Sequence, residues 1–66
     1  MKLHVWIEIK GDIDTRMLWK LIESYRVNLT AVYQKTWVYG DVDNTTLGDL
    51  ISKCSLFGDI ESSIVQ

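Results

Sequence analysis

An α+β fold, with a four-stranded antiparallel sheet and two helices on one of its faces, is what three features of this 66-residue sequence predict. The N-terminal stretch LHVWIEI alternates its side chains with a period of two, two internal segments repeat apolar residues at helical spacing, and the two halves of the chain echo each other. Together they give the order β-α-β-β-α-β in a single domain over 1–66.

The first strand covers 2–9, with Leu3, Val5, Ile7 and Ile9 on one face and His4, Trp6 and Glu8 on the other. Gly11 breaks it, and GDID supplies a turn with Asp14 as N-cap and with Ile13 and Leu18 spaced as a hydrophobic staple. Leu18, Leu21, Ile22 and Tyr25 then form one stripe of an amphipathic helix that should end near Arg26, with Asn28 as the left-handed residue beyond it. Residues 29–42 are rich in β-formers and too long for one ordinary strand. Their most polar dipeptide, Gln34-Lys35, marks the turn of a hairpin pairing 29–33 with 36–42, although such turns favour Asn-Gly or Gly-containing pairs. The spacing of Thr46 and Asp49 fits a capping-box start. Leu47, Leu50, Ile51, Cys54 and Phe57 repeat at helical spacing up to Gly58, the expected stop. A last strand sets Ile60, Ser62 and Ile64 against Glu61, Ser63 and Val65.

The halves end AVYQ and SIVQ, VWIEI answers TWVYG, and LWKLI answers LGDLI. Two such split β-α-β halves resemble the ferredoxin-like plait, which implies sheet order 4-1-3-2 with both helices on one face and the other face open. The helices should cover Leu3, Val5, Ile7 and Ile9 and, by hairpin register, Leu29, Ala31, Tyr33, Thr36 and Val38. The open face then carries His4, Trp6, Glu8, Thr30, Val32, Gln34, Trp37, Tyr39 and Asp41, with Glu61, Ser63 and Val65 at an edge.

A chain this short buries only about 60% of its unfolded surface on folding, so a solitary core is marginal and self-association is a natural supplement. One Cys excludes an internal disulfide, and one Cys with one His cannot complete a four-ligand zinc site within the chain. No metal or cofactor is expected. A net charge of −2 and a pI near 5.1 argue against a general polyanion binder. No apolar run approaches the roughly 20 residues of a membrane span. The N-terminus has neither the apolar stretch nor the cleavage site of a signal peptide, and one free thiol fits a reducing compartment, so a cytoplasmic protein is expected.

Because strands one and three are neighbours in such a sheet, Trp6, Trp37 and Tyr39 should lie side by side on the open face. Each offers about 150–250 Å² of buriable surface, and with Val32 they make a patch near or above the few hundred Å² that a monomer ordinarily exposes. Cross-strand packing alone accounts for such a group. As a binding surface it comprises Trp6, Trp37, Tyr39, His4, Val32 and Glu8. Interface cores are enriched in Trp and Tyr and depleted in Lys, so the leading expectation is a non-enzymatic module that forms a homodimer or binds another protein.

KTWVY also resembles strand three of the RNA-recognition motif, with Lys35 at the basic position, Trp37 and Tyr39 at the aromatic ones, and Trp6 in the stacking role on strand one. Thr36 and Val38 replace that family's small residues, and Gly40 stands where a branched aliphatic belongs. The resemblance implies single-stranded nucleic-acid binding by base stacking. Opposing it, the expected open face has Glu8, Asp41 and Glu61 against Lys35 alone, too little positive charge to neutralise phosphates. A small ligand held between subunits is a third class, by analogy of fold only.

Catalysis finds no footing: His4 has no nucleophile beside it, and Cys54 lies in an apolar helical stripe that makes it an inert packing residue. The acidic loops GDID and GDVDN lack the spacing of a calcium loop, and Gly11, Gly40 and Gly48 form no phosphate-binding fingerprint. Trp19 flanks the stripe of the first helix, where packing at the stripe's edge is the stronger reading and a second contact the weaker one.

Overall fold

The computed structural model describes residues 2–65, with side chains through residue 64, so the expected placement of the Val65 side chain lies outside what is described. Strand β1 spans Lys2–Lys10, since its alternation continues one residue beyond 2–9 before Gly11. Helix α1, Thr15–Ile22, starts at Asp14, whose carboxylate accepts the backbone N–H groups of Arg16 and Met17 at 3.0 and 3.3 Å. Two of the first turn's unpaired donors are thereby satisfied. Ile13 packs against the core just ahead of this cap.

The helix is shorter than its periodicity predicts, ending at Ile22 rather than near Arg26. The Tyr25 N–H donates to the Ile22 carbonyl and the Val27 N–H to the Tyr25 carbonyl, which swings the chain into strand β2, Val27–Val32. Asn28 is therefore a strand residue opposite Tyr39, not a left-handed cap. The Tyr25 N–H and the Ile22 carbonyl thus bond each other, where a longer helix would have paired them with the Leu21 carbonyl and the Arg26 N–H.

Strand β3 is Lys35–Asp43, and the hairpin turn is Tyr33-Gln34, one residue earlier than Gln34-Lys35. Both turn residues have positive φ, 50° and 66°, the sign that lets a two-residue turn follow the twist of its strands. Tyr33, expected beneath the helices, is instead in the turn and 94% exposed. Moving the turn by one residue shifts the pairing by two, so faces are preserved while partners change: Leu29 is opposite Val38, Thr30 opposite Trp37 and Val32 opposite Lys35.

Gly40 shows why this register is taken. It stands opposite Val27 with φ of +152°, and a Cβ there would lie 2.9 Å from Val27 Cα and 3.0 Å from the Arg26 carbonyl oxygen. In the register with the later turn, Val42 would have met Val27, and its side chain could not make that approach.

Helix α2, Asn44–Ser55, begins ahead of the Thr46–Asp49 capping box, which does not form. Asp43 is the N-cap residue without a side-chain hydrogen bond, the Thr46 hydroxyl donates back to the Asp43 carbonyl at 3.0 Å, and Asp49 is engaged by Tyr25 and Lys53. Leu50 and Cys54 are fully buried, and Leu47, Ile51 and Phe57 pack partly buried beside them. Strand β4, Ile60–Val65, returns antiparallel to β1, with Ile60, Ser62 and Ile64 opposite Ile9, Ile7 and Val5.

The result is an α+β arrangement whose antiparallel sheet runs β2-β3-β1-β4, the order 4-1-3-2 read from the other edge. Val5, Ile7, Ile9, Val38 and Val42 form one buried sheet face, closed by Leu18 and Ile22 of α1 and by Leu50 and Cys54 of α2. Leu21, counted in the α1 stripe, is 40% exposed at its border.

Candidate functional site

Strand alternation that buries Val5, Ile7 and Val38 turns Trp6, Trp37 and Tyr39 to the opposite face, away from both helices. Trp6 stands opposite Tyr39, their ring centroids 5.1 Å apart and their planes 27° from parallel, and Trp37 approaches Trp6 from the next pair along at 6.2 Å and 38°. Thr30 Oγ1 lies 3.4 Å from the Tyr39 hydroxyl. These separations fall within the range where aromatic pairs contribute about 0.5–1.5 kcal/mol beyond area burial, so the three rings brace the central strands. Trp6, the middle ring, is nevertheless 39% exposed.

The remaining residues of the expected surface surround this stack. His4 Nδ1 hydrogen-bonds Asp41 Oδ1 across the strand pair at 3.0 Å. Glu8 lies opposite both Trp37 and Glu61, on the acidic side of the stack. Val32 is at the hairpin end, with Thr30 rather than Val32 beside Trp37.

The charge of the face differs from the expectation that Lys35 is its lone cation. The parity of β1 places Lys2 and Lys10 there as well. Lys2, Lys10 and Lys35 therefore stand against Glu8, Asp41, Asp43 and Glu61. Lys10 Nζ is 2.7 Å from Glu61 Oε1, a hydrogen-bonded ion pair that raises the Lys10 pKa and lowers that of Glu61. One lysine of three is thus already neutralised.

A second cluster has no counterpart in the sequence reading. The Tyr25 hydroxyl donates to the Asp49 carboxylate, and Lys53 Nζ lies 3.4 Å from Asp49 Oδ2 and 5.1 Å from the centre of the Tyr25 ring. The hydrogen bond between them raises the Tyr25 pKa and lowers that of Asp49, and Lys53 is raised chiefly through Tyr25. Each shift leads away from neutrality, opposite to what proton transfer near pH 7 requires, so the cluster serves to tie the α1-β2 link to α2. The spacing of Asp49 and Lys53 at i, i+4 was visible in the sequence; the reach of Tyr25 from another element was not.

Cys54 is fully buried, and burial pushes its thiol up to about 11. Among the described residues no group of three or more His, Cys, Asp or Glu side chains is placed to hold a metal ion, and no helix is long and apolar enough to cross a membrane. Trp19, 44% exposed, lines a shallow groove of about 580 Å³ between α1 and β2 with Thr15, Arg16, Lys20, Asn28 and Leu29. Compared with known proteins, the chain matches no family model, no curated protein and no solved structure, and its functional reading rests on its own residues.

Proposed function

We propose that the protein is a non-enzymatic assembly module, ferredoxin-like in plan and cytoplasmic in setting, that self-associates by packing the open sheet faces of two copies around Trp6, Trp37 and Tyr39. The observation that carries this reading is the exposure of Trp6, the central ring of a three-ring stack on the face opposite the helices. Apolar area removed from water stabilises by about 25 cal/mol per Å², and a small domain gains most from a second layer. Apart from Glu8, which stands opposite Trp37, the lysines and carboxylates sit around the aromatic centre, which is the plan of an apolar hot spot inside a polar rim.

Sedimentation equilibrium is expected to show a dimer whose tryptophan emission shifts to the blue as concentration rises. Trp6→Ala should weaken it by about 30-fold or more, the cost of truncating a central aromatic at an interface. A strict monomer at several hundred micromolar, with emission typical of exposed indole, would remove the proposal. A second reading, single-stranded nucleic-acid binding, is favoured by one observation: Lys10 and Lys35 stand opposite each other at one end of the stack. Quenching by an oligothymidylate that weakens steeply with salt would select it.

A further inference from the structure

Strand β2 forms one outer edge of the sheet, and its sequence, VNLTAV, carries no charge and no proline. Its pairing with β3 runs unbroken from Val27–Gly40 to Val32–Lys35, so no bulge bends it away. Natural sheets guard their edges with lysine, proline, bulges or covering segments, and β2 has none of these among the described residues. Because Val32 and Lys35 flank a two-residue turn, they face each other as a hydrogen-bonded pair, and so do Thr30 with Trp37 and Asn28 with Tyr39. Leu29 and Ala31 therefore direct their N–H and C=O groups outward.

Directly beside this edge, α1 presents the half-exposed Trp19 flanked by Arg16 and Lys20. The ion pairs among the described residues are His4–Asp41, Lys10–Glu61 and Lys53–Asp49, and none involves Arg16 or Lys20. Two like charges four residues apart on a helix repel each other, and carboxylates placed between them would relieve that repulsion. A second copy pairing through its own β2 supplies no carboxylate from that strand and brings two further cations to the same place.

We infer that the groove between α1 and the outer edge of β2 receives an extended acidic polypeptide segment, which adds to the sheet as a fifth strand. Its backbone bonds to the outward groups of Leu29 and Ala31. Every second side chain faces the helix layer, where an apolar residue meets Trp19 and acidic neighbours meet Arg16 and Lys20. This edge is separate from the aromatic face, and the two proposals stand or fall independently.

The probe is the synthetic peptide Thr-Glu-Thr-Val-Thr-Glu-Thr, titrated into the intact protein and followed by NMR. The expected result is slowed amide exchange at Leu29 and Ala31 and a shift of the Trp19 indole N–H, with affinity falling as salt rises. The exposed double substitution Arg16→Glu with Lys20→Glu should weaken binding by about tenfold or more and favour the peptide carrying Lys in place of Glu. Ala31→Pro should abolish binding by removing an outward donor. If that variant unfolds, N-methylation of alternate peptide amides makes the same test from the ligand's side. Binding indifferent to charge reversal, shifts confined to Trp6, Trp37 and Tyr39, or protection of Leu29 and Ala31 that rises with protein concentration alone would each overturn the inference.

Discussion

Gly40 is the residue on which the sheet is most sharply dependent. Its would-be Cβ meets backbone atoms, which cannot swing aside as a side-chain tip could, and its φ of +152° is strained for any L side chain. Gly40→Ala is expected to cost about 2–4 kcal/mol through strain and forced separation of β2 from β3, read as a lowered urea midpoint. The hairpin turn makes the opposite case. Tyr33 and Gln34 hold positive φ with full side chains, where asparagine and glycine sit without strain. Tyr33→Asn with Gln34→Gly should therefore raise stability by about 1 kcal/mol with little change in the urea dependence. Neither the partner of Gly40 nor the exact position of the turn could be fixed from local sequence. The demand on Gly40 comes from a strand thirteen residues earlier, and a turn of unfavourable composition is tolerated when pairing on both sides fixes it.

At the scale of elements, periodic segments were legible and their ends were not. The alternation of β1, the Asp14 cap and the Leu50-Cys54 stripe follow from side-chain spacing alone, whereas α1 ends at Ile22 in a turn that its periodicity does not mark and α2 starts before its apparent capping box. The link after α1 is held by Tyr25, Asp49 and Lys53, and its pH dependence follows from their shifts. Asp49 is lowered from its usual 3.8, so its contribution is complete above that value and is lost as pH falls through the lowered one. Tyr25 is raised from its usual 10.0, so the neutral hydroxyl's contribution is complete below that value and is lost as pH rises through the raised one. Asp49→Asn should thus lower the Tm at neutral pH, and its difference from the parent chain should close in strong acid. Tyr25→Phe should converge with the parent only in strong alkali.

For the whole molecule, topology and face assignment were legible because a two-residue error in register leaves parity intact. That is why Trp6, Trp37 and Tyr39 meet where the sequence places them, while their β2 partners shift by two residues, Thr30 for Val32 opposite Trp37 and Asn28 for Thr30 opposite Tyr39. The charge of the open face was less legible. It turned on one further strand residue, Lys10, and on Lys2, which lay within the expected strand 2–9 but was left out of its polar face. The groove beside Trp19 depends on how α1 lies against β2, which no periodicity encodes.

Cys54, fully enclosed beneath α2, is the one sulfhydryl in the chain. With its thiol pushed up to about 11, almost none is thiolate at neutral pH, and no alkylating reagent can reach it while the helix stays docked. Iodoacetamide capture should accordingly run at a rate set by how often the interior opens, and urea should accelerate it in step with the loss of circular dichroism. The molecule carries a built-in clock for its own breathing, readable by mass spectrometry as the mass that alkylation adds.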